Sequence, residues 1–224
     1  MFDLSPGMQG FLGGAAAIGV PLLFNLGKEV IFDIRKRKAE RAYISVQLIF
    51  LLDKFVARCA DVAWDNGFDP MMPEPHDEEL EDQTQIPVFD MISVKGEHKY
   101  LKPAMLARLH TIEIKLNQAN ESLHNEEADW GWEGSLWKYY ETRRELYGNV
   151  GLYAASIADD LRKEFGIKNV EGWKPSERII NSFENIKETR AQRAERKRLR
   201  KLERERKKAE EEKQNVESGL VMNE

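Results

Sequence analysis

Residues 4–27 contain no charged side chain, and no other stretch of the chain resembles them. Of the twenty residues 8–27, twelve are apolar and five are glycine, leaving only Gln9, Pro21 and Asn25. At about 1.5 Å of rise per residue a helix over this run reaches roughly 30 Å, the thickness of a bilayer's hydrocarbon core. The run predicts a single transmembrane helix within residues 1–27, with the lipid bilayer as partner. The glycines and Pro21 dilute its hydrophobicity, which leaves a soluble or interfacial helix as the rival reading. Gly and Pro are, however, commoner in spanning helices than in soluble ones. A cleaved secretory signal normally opens with Lys or Arg, and here the early side-chain charge is Asp3.

The flanks predict an orientation. Lys28, Arg35, Lys36, Arg37, Lys38 and Arg41 follow the run within fifteen residues, and no Lys or Arg precedes it. Because positive charge stays inside, the expected protein is single-pass, with its N-terminus outside and its C-terminal domain in the cytoplasm. Cys59 is the single cysteine, so no intramolecular disulfide can form. Its place on an apolar face marks it as a small core residue.

The expected domains are the membrane segment 1–27, a cytoplasmic helical bundle 28–186 and a charged tail 187–224. The bundle region is long enough for one core of its own. The net charge of −5 conceals a segregation: residues 187–213 carry thirteen Lys or Arg against seven Glu, a net of +6, leaving about −11 on the remainder. Such asymmetry bears on partners more than on fold.

Helical spacing dominates the bundle region. Ile44, Leu48, Leu52, Phe55, Cys59 and Val62 share one face of a first helix that ends near Asn66 and Gly67. No Pro or Gly interrupts residues 29–65, so this helix is expected to continue from the span as one rod. The run 43–52 is too short to cross a bilayer and reads as core. A second helix follows Pro103 with the stripe Met105, Leu109, Ile112, Leu116, Ala119 and Leu123. A third covers about 134–165, with Leu136, Tyr140, Arg143, Tyr147, Val150, Ala154, Ile157 and Leu161 on one side and Gly148 and Gly151 loosening its middle. The expected fold is all-α, an antiparallel coiled-coil-like bundle with a charged C-terminal helix.

Between the first two helices, residues 65–82 hold eight acidic residues, no Lys or Arg, and Pro70, Pro73 and Pro75. This composition predicts a solvated acidic loop, 65–85, without the ligand spacing or glycine of a calcium-binding loop. Residues 86–94 (IPVFDMISV) read as a strap across the bundle. His110 with Glu113, and His124 with Glu126 and Glu127, lack the order and count of a di-iron site and read as surface residues. The aromatic cluster of residues 129–140 reads as a plug at one end of the bundle. Arg143 within an apolar stripe predicts a buried ion pair, and Asp53 is its expected partner with Arg143 or Arg144. No catalytic triad, phosphate-binding glycine loop or zinc pair occurs. Neither enzymatic activity nor a cofactor or metal is expected.

Two stretches carry binding signals. Gly10 with Gly14, Gly13 with Ala17, and Ala15 with Gly19 form small-xxx-small spacings that let helices approach closely in lipid, predicting membrane-helix packing and a homo-oligomer. In the C-terminal run, Ile179, Ile180, Phe183 and Ile186 can dock on the bundle. Beyond them, Arg190, Arg193, Arg196, Lys197, Arg198, Arg200, Lys201, Arg204, Arg206, Lys207 and Lys208 stand against three Glu. This basic tail is expected to bind anionic lipid or nucleic acid electrostatically. The functional expectation is a membrane-anchored interaction or scaffold protein with a protein partner. The alternative is an oligomeric membrane effector or pore component assembled through the glycine-bearing helix.

Overall fold

The structure is a computed structural model describing residues 6–69, 80–129 and 136–221, with the side chains of residues 6–26, 126–129 and 211–221 left undescribed. Four helices, α1 (Pro6–Trp64), α2 (Pro103–Asp129), α3 (Leu136–Phe165) and α4 (Pro175–Val221), form an all-α bundle, and no strand occurs among the described residues. Prolines open α1, α2 and α4, where the missing N–H costs no helical hydrogen bond. The first helix ends in a turn at Gly67, whose φ of +80° favours glycine and whose missing Cβ leaves room for the Tyr140 ring.

Cross-links between elements define the topology. Asp53 meets Arg162 at 2.5 Å and the Ala63 carbonyl accepts from Arg144 Nε at 2.7 Å, so α3 runs antiparallel to α1. Arg108 pairs with Asp160 and Asn120 with Tyr147, setting α2 antiparallel to α3 as well. Asn185 meets Arg144 at 3.0 Å while Arg190 meets Glu141 at 2.8 Å, which gives α4 the same antiparallel relation. The third helix is thus the central member, and its three neighbours run parallel to one another.

The expected stripes become the core. Ile44, Leu48, Leu52, Phe55, Cys59 and Val62 are at most 1% exposed, and they meet Leu109, Ile112 and Leu116 of α2 and Tyr147, Val150, Ala154, Ile157 and Leu161 of α3. The strap closes one side, with Phe89, Met91 and Val94 buried and the Phe89 ring edge-on to Phe55 at 5.3 Å. Burial pushes the Cys59 thiol far above its ordinary value, as befits an inert core residue.

Several expectations require correction. The run 43–52 is only half core, because Tyr43, Val46 and Phe50 are exposed on the far side of α1. Gly148 and Gly151 permit close approach: a Cβ at Gly151 would lie 2.6 Å from the Cys59 Cβ, and one at Gly148 would lie 2.5 Å from the Phe183 ring. Asp53 pairs with Arg162, and Arg143 pairs with Asp65, because antiparallel packing sets the start of α3 beside the end of α1. The ends of the acidic loop are also held, with Asp65 and Leu80 buried.

Among the described residues, no helix is long and apolar enough to cross a membrane. The run on which the span was expected, together with Gly10, Gly13, Gly14, Ala17 and Gly19, lies outside the residues whose side chains are described. The backbone there is helical and continuous with the bundle, since Pro6–Trp64 is one element. The aromatic segment 130–135 lies outside the described residues too.

Candidate functional site

The distal end of the bundle, where α1 stops and α3 starts, carries two charged assemblies. The inner one is a clasp around Arg143, whose side chain is fully enclosed. Arg143 donates from Nη1 to Asp65 Oδ2 and from Nη2 to the Thr84 carbonyl, each at 2.7 Å. Asp65 also accepts from the backbone N–H groups of Gly67, Gln83 and Thr84 and from the Thr84 hydroxyl. Burial alone would raise the Asp65 pKa. The bonds from Arg143, Thr84 and Gly67 outweigh it and hold the carboxyl below its ordinary value. The clasp ties both ends of the acidic loop to α3. Apart from Arg143 Nε, which is buried without a hydrogen-bond partner, its side-chain groups bond to one another or to the backbone, so its role is structural.

The outer assembly is the root of the basic helix. Glu141, itself 9% exposed, accepts from Arg190 Nε at 2.8 Å and from Arg193 Nη1 at 2.5 Å, while Glu145 accepts from Arg190 Nη1 at 2.8 Å. The hydrogen bonds that Arg190 donates, first to Glu145 and then to Glu141, raise its pKa. The Arg193 guanidinium also lies 4.5 Å above the Trp137 ring, and Phe68 packs at 4.5 Å from the same ring. Trp137 and Tyr140 therefore do plug the bundle end, with Tyr140 only 4% exposed.

Arg190 and Arg193 thus belong to the bundle. The remaining nine expected tail residues, Arg196 to Lys208, are exposed on a helix that leaves the bundle. Helical spacing places Arg193, Lys197, Arg200, Arg204 and Lys207 along one face, four or three residues apart, with Arg196 and Lys208 beside it. Glu203, one turn from both Arg200 and Lys207, flanks the ridge, whereas Glu195, Glu205 and Leu202 fall on the far side. There, pairs one turn apart support the rod: Arg198 with Glu195, Lys201 with Glu205 and Arg206 with Glu210. A groove of about 1000 Å³ at the base of the arm is lined by Trp137 together with Arg193, Arg196, Lys197, Arg198, Arg200, Lys201 and Arg204.

The receptors of the arm, Glu141 and Glu145, escaped the sequence reading. Their signal was a pair of acids one turn apart beside the apolar stripe of α3. His110 lies 3.8 Å from Glu113 on the exposed face of α2, and no group of three or more metal-capable side chains occurs among the described residues.

Fold and site together define an all-α bundle bearing a basic helical arm. No protein-family model, curated protein or solved structure matches the chain.

Proposed function

We propose that the protein is a membrane-anchored interaction protein that presents its basic arm to an anionic macromolecule, with nucleic acid as the partner its geometry suits best. The observation carrying this reading is the basic ridge Arg193, Lys197, Arg200, Arg204 and Lys207, with Glu195 and Glu205 away from it and Glu203 at its edge. Aligned cations along a rod match the closely spaced phosphates of a nucleic-acid backbone. The anchor is the uncharged run at the start of α1, and the basic flank around Lys36 keeps the bundle on the cytoplasmic side.

Placement separates the two anionic surfaces considered for the tail. From Gly27 to Trp64 an unbroken helix climbs roughly 55 Å at 1.5 Å per residue. The arm leaves the bundle beyond Trp64 and continues in the same direction. With α1 upright in a bilayer, the ridge stands several Debye lengths from the headgroups, since that length is about 8 Å at physiological salt. The membrane holding the anchor is then outside its electrostatic reach.

The test compares binding of the purified full chain to a short duplex and to phosphatidylserine vesicles across a salt series. The triple variant Lys197→Gln, Arg200→Gln and Arg204→Gln removes three ridge charges. The control Arg198→Gln, Lys201→Gln and Arg206→Gln removes three from the flanks and back. Duplex binding is expected to weaken much more in the ridge variant, with a shallower salt dependence. Equal losses in both variants, stronger binding to vesicles, or no binding at low salt would overturn the reading.

A further inference from the structure

The bundle covers one side of α1 and leaves the other bare. Its core residues cluster about Leu48, Leu52, Phe55 and Cys59, whereas Tyr43, Val46 and Phe50 on the opposite side are 55%, 40% and 60% exposed; before Glu40 the helix is exposed all round, with Phe32 at 73%. With Lys36 and Ala39 these residues are spaced four, three, four, three and four apart from Phe32 to Phe50, the a/d pattern of a coiled-coil seam. Such a stripe, with large rings and no covering element over nineteen residues, is an unpartnered helix face.

The charges beside the seam specify what covers it. In the register that places Lys36, Tyr43 and Phe50 at a, the charged g positions are Lys28 and Arg35 and the charged e positions are Asp33, which also pairs with Arg37 in its own helix, and Glu40; Ala42 and Ile49 complete g and Gln47 completes e. Two parallel copies bring each g residue to the e residue five positions on. Lys28 then meets Asp33 of the second copy, and Arg35 meets Glu40 of the second copy. An antiparallel pairing would oppose base to base and acid to acid. Lys36 at an a position favours a two-stranded assembly at some cost in stability, and Ala39 admits close approach.

We infer that α1 is the self-association surface of this protein: two copies pair in parallel, in register, through Phe32, Ala39, Tyr43, Val46 and Phe50. The two bundles then lie on the outer sides of the pair. The inference stands on residues 28–50 and holds whether or not the preceding run spans a membrane.

In a parallel in-register pair, each a or d residue faces its own counterpart. Full-length chain in detergent, in a Cys59→Ala background, is given a single cysteine by Ala39→Cys, Val46→Cys or, away from the seam, Lys38→Cys. Mild oxidation is expected to give covalent dimer several-fold more at 39 and 46 than at 38. The variant Tyr43→Glu with Val46→Glu is expected to halve the mass measured by light scattering, while helix content and melting temperature hold because both sites are exposed. Equal cross-linking at all three positions, none at either seam position, or an unchanged mass in the glutamate variant would overturn the inference.

Discussion

Arg143 of α3 donates to Asp65 at 2.7 Å across 78 residues of sequence, and neither side chain has any exposure to solvent. The pair sits where α1 ends, the acidic loop returns and α3 begins. A buried ion pair of this kind fixes register more surely than it adds stability, because desolvation offsets much of its attraction.

Removing one partner is therefore much worse than removing both. Asp65→Ala strands a guanidinium in the interior and is expected to cost about 3–5 kcal/mol. The double variant Asp65→Ala with Arg143→Met is expected to be more stable than that single variant, though it still lacks the bonds to Gly67, Gln83 and Thr84. Urea unfolding of the three proteins measures the difference. A double variant less stable than Asp65→Ala would show that Arg143 contributes through the Thr84 carbonyl more than through the carboxylate.

The depressed Asp65 pKa gives the clasp a pH dependence with a definite sign. The folded protein holds the carboxyl below the unfolded value of 3.8, so the clasp's contribution is fully present above that pH. It is lost as pH falls through the lower folded value. Asp65→Asn removes this dependence. Its unfolding free energy is expected to fall less steeply than that of the parent protein below pH 4 in denaturant titrations.

Much of this architecture was legible because each buried stripe repeats at helical spacing; Leu48 to Val62 and Leu109 to Leu123 could be read without knowing what they faced. The pairing of charges was not legible in the same way. Asp53 and Arg143 both interrupt apolar stripes, and only the antiparallel offset of α1 against α3 decides that Asp53 meets Arg162 and Arg143 meets Asp65. Gly148 and Gly151 misled for a related reason, since a glycine inside a helix signals weakness unless the element packed upon it is known. The basic arm was visible as composition, but its docked root was not, because Glu141 and Glu145 announce themselves only once α4 lies along α3.

The two α3 glycines should tolerate a methyl group unequally. At Gly151 the added Cβ would meet the Cys59 Cβ, which is attached directly to the α1 backbone, and Ile179 Cδ1 at 2.8 Å. At Gly148 the nearest atoms belong to the outer edge of the half-buried Phe183 ring, the far end of a side chain, with Ile179 Cγ2 at 3.1 Å. Gly151→Ala is expected to cost about 1–3 kcal/mol as overpacking, and Gly148→Ala less. Thermal melts rank them. The same contact predicts that Cys59, unreactive toward Ellman's reagent in the parent protein, becomes measurably faster in Gly151→Ala.

The docked root of α4 sets where the arm can be removed without harm. Arg190 and Arg193 satisfy Glu141, which is nearly buried, and Ile186 is fully buried just before them. A chain ending at Arg193 keeps every one of these contacts and is expected to melt at the parent temperature while losing duplex binding. A chain ending at Lys187 leaves Glu141 without either arginine, and the expected cost is on the order of 1 kcal/mol, since the arginines themselves are partly solvated. Circular-dichroism melts of the two truncations separate the cases. If the Lys187 truncation melts with the parent protein, the arm has no structural root in the bundle; if the Arg193 truncation binds duplex as well as the full chain, the exposed ridge is not the binding surface.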